Sequence, residues 1–282
     1  ALVFLFMSLS VAAEEIDLNE ISVSASLKPI NLSEVGSSVT VVTEDQLAEA
    51  GTSYLIDFID RLSGVGTNQN GPKGAVSGVS IRGLGLKYIK VLVDGVDIGD
   101  VSSIPVTANL SGIMLSDIER LEILKGSQST LYGSSAIGGV ISVTTKRKPN
   151  NEGFFSAEVG SFGTLQITAG KNFSDENSDI WATGSVYQTD GFSAKAGGTE
   201  ADGYNSNKIS VMSNYYMDEE STFKLNVFLQ NEDGEQDGYG DDFAFIDKDD
   251  EIFQSESFGF SSSIDFDYND VKRDVGLSLF SV

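Results

Sequence analysis

After Pro149, apolar and polar residues alternate through one segment after another, and that period of two constrains the fold more than any other feature of the chain. Phe155, Ala157 and Val159 share one face, as do Leu165, Ile167 and Ala169, then Ile180, Ala182, Gly184 and Val186. The period recurs at Ile209, Val211, Ser213 and Tyr215, at Phe223, Leu225, Val227 and Leu229, at Phe258, Phe260, Ser262, Ile264 and Phe266, and at Val275, Leu277 and Leu279. The opposite faces carry Ser, Thr, Glu, Gln and Asn. An apolar outside and a polar inside over about ten residues is the pattern of an outer-membrane β-barrel. Trp181, Tyr187, Tyr215 and Tyr216 are candidates for its interfacial aromatics. Short turns at 161–163, 175–177, 218–220 and 269–270 contrast with long loops at 189–205 and 231–254, as periplasmic turns contrast with outer loops. A soluble β-sandwich with polar loops is the competing fold. Seven strands are an odd number for a bacterial single-chain barrel and Val282 falls in mid-strand, so the chain reads as a fragment.

Before Pro149 the pattern is mixed. Residues 1–13, ALVFLFMSLSVAA, are apolar apart from Ser8 and Ser10 and end in small residues. As a helix at ~1.5 Å per residue they reach about 20 Å, short of a ~30 Å hydrocarbon core, which fits a signal peptide truncated at its start. A strand is expected at Val39–Val42, then a capping box in Thr43-Glu-Asp-Gln46, with Glu44 and Asp45 at the positive end of a helix that Gly51 stops. Leu55, Phe58, Ile59 and Leu62 recur at helical spacing. Strands follow at Val79–Arg82, Ile89–Val93, Leu121–Leu124 and Val140–Thr145, between glycine-rich turns such as Asp94-Gly95. Residues 39–148 therefore form an α+β domain. Earlier still, NEISVSAS (19–26) reads as a strand with no turn signal and no near partner.

Composition removes whole classes of chemistry. With no Cys and no His, disulfides, thiolate sites, His-based catalysis and zinc or haem ligation are excluded. A net charge of −24, from 18 basic and 42 acidic residues, opposes nucleic acid and anionic lipid. Asp241 and Asp242 are adjacent on a loop, so they point apart and lack the apolar pocket a carboxylate acid/base pair needs. GLGLKYI has Tyr88 at the third glycine position of a dinucleotide fingerprint. The chain is not expected to be an enzyme.

SIRGLGLKYIKVLVDGVDIG (80–99) and IERLEILKGSQSTLYGSSAIGGVISVTTKR (118–147) resemble the plug domain of TonB-dependent outer-membrane transporters in order, spacing and glycine positions. Within that family GVGTNQNGPKGAVSGVSIRG (64–83) and VLVDGVDIG are most similar to cobalamin receptors. The resemblance implies a plug (39–148) inside an antiparallel transmembrane barrel of about 22 strands, of which 149–282 supply the first third. It implies an outer-membrane location and energised uptake of a large, scarce nutrient, cobalamin, with an iron siderophore or haem as the alternative cargo. A passive porin or an adhesin is a further alternative. It also places residues 14–38 as TonB box and linker. Glu20, Ile21, Ser22, Val23, Ser24 and Ala25 match the box, whose extended backbone would add as a strand to a sheet of TonB.

A plug in a wide barrel leaves its outward loops at the floor of a wet vestibule. The loop 70–78 offers Asn70, Lys73, Ala75 and a glycine-rich backbone able to approach a ligand closely. The loop 97–105 offers Asp97, Asp100 and Ser102. By resemblance these loops contact substrate. Arg82 and Arg120 are expected to pair with carboxylates of the barrel wall. Asp233, Glu235, Asp237 and Gly238 mimic the start of an EF-hand, but Ala244 stands where its bidentate Glu is required. Glu200, Asp202, Asn231 and Asp237 remain as oxygen donors for Ca2+, similar to a cobalamin-receptor calcium site in which Ser193 replaces an Asp.

Overall fold

The computed structural model describes residues 22–23, 30–31, 38–69, 71, 73–75, 77–102, 104–193, 198, 201–235, 238–239, 245–246, 252–268 and 271–282. Two short strands come first, β1 (Ser22–Val23) and β2 (Ile30–Asn31), paired antiparallel with Ser22 opposite Asn31 and Val23 opposite Ile30. The first strand is thus not alone, as its sequence implied. A ladder of two residues a side is too short to register as a periodic pattern.

The plug is built from β3 (Ser38–Thr43), α1 (Glu44–Ala48), α2 (Leu55–Ile59), β4 (Val65–Gln69), β5 (Ser77–Ile81), β6 (Leu84–Gly85), β7 (Ile89–Val93), β8 (Val96–Asp97), β9 (Gly99–Asp100), β10 (Thr107–Ala108), β11 (Ile118–Lys125), α3 (Ser129–Tyr132) and β12 (Gly139–Thr145). The side chain of Gln46 accepts from the Thr43 backbone N–H at 3.1 Å, so the expected capping box starts α1. Gly51 has φ +63° in the turn that follows. A mixed sheet in the order β3-β11-β12-β7-β8 carries the domain, β12 running parallel to β7 and the other pairs antiparallel. Its strands read as near-continuous apolar runs because both faces are covered: Leu121, Ile123, Val140 and Ile141 are fully buried. Leu55 and Ile59 of α2 pack into the same core, each burial favourable by roughly 1.5–3 kcal/mol. The β7–β8 hairpin turns through Asp94 (φ 49°) and Gly95 (φ 82°), the paired positive angles of a two-residue turn matched to strand twist.

The second half is an antiparallel meander: β13 (Gly153–Val159), β14 (Leu165–Ser174), β15 (Ser178–Thr189), β16 (Tyr204–Tyr216) and β17 (Ser221–Glu235). A small pair, β18 (Gly238–Tyr239) with β19 (Phe245–Ile246), intervenes before β20 (Ile252–Tyr268) and β21 (Val271–Ser281) complete a sheet of seven. Every segment found by alternation is one of these strands. The sheet is not closed, β13 and β21 being its edges. No helix among the described residues is long and apolar enough to cross a membrane.

Strand parity divides the two faces. Phe155, Leu165, Ile180, Val186, Ile209, Leu229 and Leu277 are exposed outward, while Gln166, Thr168, Ser185, Ser206 and Asn226 are buried toward the plug. Trp181 and Tyr187 belong to the inward set, which corrects their expected place at the membrane interface. The Trp181 indole N–H donates to the Lys148 carbonyl at 3.0 Å, and Tyr187 packs on Tyr54 of the plug. The connections 160–164, 190–203 and 236–251 share one end of the sheet, and 175–177, 217–220 and 269–270 share the other. The short turn at 161–163 therefore stands at the long-loop end, where the Asp190 N–H donates to the Phe162 carbonyl and Phe162 lies 5.3 Å from Phe192.

Candidate functional site

The plug presents two segments toward the long-loop end of the wall, and both are held in place by hydrogen bonds of their own. Ser111 Oγ donates to the Gly74 carbonyl at 3.0 Å, tying the described part of loop 70–78 to the 109–113 segment. Asn109 Oδ1 accepts from the Ser111 N–H and hydroxyl, at 3.1 and 2.8 Å, and fixes that segment's turn. Lys73 pairs with Asp57 of α2 and sits 5.0 Å above the Tyr54 ring. Ala75 is buried. Asn70 lies outside the described residues.

The acidic residues expected to meet substrate in loop 97–105 also shape their own loop. Asp97 accepts from the Gly99 N–H at 3.1 Å and pairs with Lys90 at 3.0 Å. Asp100 accepts from the Ser102 N–H and hydroxyl at 2.8 and 2.7 Å. Such local turns are what short polar side chains do in loops. They hold up an apolar tip, with Val101, Ile104 and Val106 all exposed. Between this hairpin and the wall lies a cavity of about 250 Å³, lined among others by Asp100, Asn109, Gly112, Lys208, Gln230 and Glu232.

Plug and wall meet through polar pairs and one aromatic cluster. Ser116 is 2.8 Å from Thr168 and accepts from Gln166, and the buried Asp117 accepts from Ser185 at 3.0 Å, with Lys208 3.8 Å away. In the cluster, the Tyr54 and Tyr187 rings are 4.9 Å apart, Tyr187 and Tyr204 5.9 Å, and Tyr204 stacks on Phe253 at 6.2 Å. Burial, then its tyrosine neighbours Tyr204 and Tyr187, push the Tyr54 hydroxyl far above the ordinary phenol range, so it stays protonated. Tyr204 donates to Glu232, a wall carboxylate on β17.

The structure adds detail to three expectations here. Arg120 pairs with Glu122 at 2.6 Å, a residue of its own strand, because positions two apart share a face. Arg82 sits at the positive-φ turn between β5 and β6, exposed and without an ion pair among the described residues. The Lys208–Asp117 pair joins plug and wall with the opposite polarity, acid on the plug and base on the wall. Second, Gly74 approaches the wall rather than open vestibule. At φ +83° a Cβ there would run into the Tyr204 and Phe253 rings. Third, of the four calcium donors only Asp202 and Asn231 are among the described residues, and these two stand apart. Asn231 stands opposite Asn207 on the outward face, whereas Asp202 is buried two residues before Tyr204, which pairs with Gly234. At ~3.3 Å per residue that separates them by roughly 15 Å. Glu200 and Asp237 lie outside the described residues, as do Glu20, Ile21, Ser24 and Ala25. Among the described residues no group of three carboxylates could hold a metal ion.

Comparison with known proteins bears on the plug first. The TonB-dependent Receptor Plug Domain matches residues 31–140. Residues 31–140 are a TonB-dependent receptor plug domain. Vitamin B12 transporter BtuB of Vibrio vulnificus is similar, 31% identical over 186 residues in strain CMCP6 and 32% over 188 in strain YJ016, covering 65% and 62% of this chain. The chain spans about 30% of the length of these relatives. Among solved structures, Pseudomonas aeruginosa FpvA bound to pyoverdine superposes with a TM-score of 0.72 at 14% identity, over 90% of this chain and 35% of its own. The siderophore receptor PirA of Acinetobacter baumannii gives 0.61 at 18%, over 85% and 39%. At such identities the likeness is one of fold: an α+β plug followed by antiparallel barrel strands. TonB-dependent receptors are outer-membrane proteins, and the family is one of receptors and transporters rather than enzymes.

Sequence reasoning missed Tyr204, Glu232, Gly74 and Gly112 as plug-to-wall contacts. The glycines are visible in the sequence. What they abut is not, since it comes from strands more than a hundred residues away.

Proposed function

We propose that the chain forms the plug and the adjoining wall of a receptor that takes up cobalamin across the outer membrane, drawing energy through TonB. The observation that supports it best is the similarity to BtuB across nearly two thirds of the chain, plug and first wall strands together. In the complete barrel the packed plug would close the lumen, so passage would require the plug to rearrange. The outward plug loops around Gly74 and Asp100 would form the vestibule floor on which substrate rests, with the exposed Val101, Ile104 and Val106 offering apolar contact. An iron siderophore is the second reading, favoured by the fold shared with FpvA and PirA.

The test is equilibrium binding to the full-length receptor of cobalamin and of a ferric siderophore in parallel, first with calcium and then with chelator. Tight cobalamin binding is expected. Siderophore binding without cobalamin binding sinks the cargo assignment. A loss of affinity on chelation would support calcium binding by the outer-loop carboxylates.

A further inference from the structure

Glycine is needed where a backbone must come closer than a Cβ allows, and both outward plug segments meet the wall at such points. Gly74 lies against the Tyr204 ring, and a Cβ on Gly112 would run into the Glu232 carboxylate and Gln230. Tyr204 and Glu232 are hydrogen-bonded to each other across β16 and β17, and Tyr204 is fully buried. The two plug segments are likewise joined, Ser111 to Gly74 at 3.0 Å, and Gln230 Nε2 donates to the Gly112 carbonyl at 3.3 Å. Four elements thus converge on one pair of wall side chains.

From this convergence we infer that the Tyr204–Glu232 pair is a wall-borne latch that positions segments 71–75 and 109–113, so that the substrate-facing floor keeps its shape only while the pair is intact. The latch reaches further through Lys73. That residue follows Pro72 in the same loop, pairs with Asp57 on α2 and lies over Tyr54, whose ring packs on Tyr187 and Tyr204. A displacement of loop 71–75 by substrate would therefore load both the wall pair and α2. The positioning is a geometric consequence of contacts in the plug and wall. Its bearing on substrate rests on the receptor function proposed above.

Hydrogen exchange on the full-length receptor in detergent, without substrate, tests the latch independently of cargo. Tyr204→Phe removes the hydroxyl alone. It is expected to speed amide exchange in 71–75 and 109–113 by about tenfold or more, as loss of a buried hydrogen bond does, while β16 and β17 keep their protection. Gly112→Ala should do the same. Glu232→Gln still accepts from Tyr204 and is expected to stay near wild type, whereas Glu232→Leu follows Tyr204→Phe. Unchanged exchange in Tyr204→Phe, Gly112→Ala and Glu232→Leu overturns the latch. Loss of protection in β16 and β17 as well assigns the pair to wall assembly and overturns it too. Cobalamin affinity, measured on the same variants, should fall with the exchange rates. If the wild type binds no cobalamin, the cargo proposal fails and the exchange result still decides the latch.

Discussion

Asp94 shows how much one side chain can organise. Its carboxylate accepts from the Thr145 N–H at 3.0 Å and hydroxyl at 2.7 Å and pairs with Arg147 at 2.8 Å, while its own backbone turns the β7–β8 hairpin at φ 49°. Its side chain is 3% exposed, so removal leaves buried donors unmet. Asp94→Ala is expected to destabilise the plug by about 2–4 kcal/mol, and Asp94→Asn by less, because Asn tolerates the left-handed backbone and keeps one acceptor. Urea denaturation followed by exchange in β7 and β12 measures both. Glu44 gives a pH signature. Burial pushes its carboxyl up, but Lys146 at 3.1 Å and Lys148 at 3.2 Å outweigh that and hold it below its ordinary 4.5. A lowered folded value means the group's stabilisation is fully present above about pH 4.5 and is lost as pH falls through the folded value. The stability difference between wild type and Glu44→Gln should accordingly be constant near neutrality and close below pH 4.5. A third of the side chain is exposed, so the effect is small and screened by salt. A difference that persists unchanged to pH 3 contradicts it.

The wall strands were legible in the sequence because each needs one apolar face against lipid and one polar face against the plug, and nothing in a membrane relaxes that demand. The same parity shows why the aromatics were misplaced. Trp181 and Tyr187 alternate with Ile180, Ala182, Gly184 and Val186, so their inward direction was already encoded, and residue type alone pointed the other way. The plug strands β3, β5, β7, β11 and β12 were found from their β-branched cores, with ends off by up to three residues where turns such as Arg82-Gly83 terminate them, while β4 and the plug's two-residue strands were missed. Partners across the plug–wall boundary were not legible, since they depend on how one folded body sits in another. Adjacent residues of β16 test the parity directly. Ile209 is 63% exposed outward, whereas Ser210 is buried and lies 2.5 Å from Thr183. Ile209→Arg is expected to cost roughly 2–4 kcal/mol of folding free energy in bilayers, as a lipid-facing charge does. Ile209→Phe should cost little in bilayers. Ser210→Phe should instead disturb plug seating and leave membrane insertion intact. Folding titrations in liposomes, with protease protection of the plug as the second readout, separate the three.

At the scale of the molecule, the chain joins a packed plug to a wall through contacts that are mostly polar: Ser116 with Thr168, Asp117 with Ser185 and Lys208, Gln230 with Gly112. A neutral pair of this kind exchanges for water at modest net cost, typically near 1 kcal/mol, so the polar contacts resist a shift of the plug less than the Tyr54–Tyr187–Tyr204 cluster does. The apolar core lies among β3, β7, β11, β12 and α2 and reaches the wall at Tyr187, Tyr204 and Phe228. Mechanical force applied at the N-terminal end would act first on β1 and β2, a pair of two residues each, and then on β3, which is an edge strand of the plug sheet. Order of yielding follows from that topology: the small ladder opens before the edge strand peels from β11. On the proposed function, the pull comes from TonB adding to residues 20–25 by backbone pairing. Deleting residues 19–26 from the full-length receptor should then leave substrate affinity within about twofold, since on the proposed function substrate rests on the outward plug loops, and should abolish energised uptake. Changing Ile21 or Val23 to proline removes a ladder donor and should reduce uptake without touching binding. Uptake that survives the deletion at the wild-type rate would mean that transport through this receptor does not use the N-terminal strand, and would bring the passive-pore alternative back to the front.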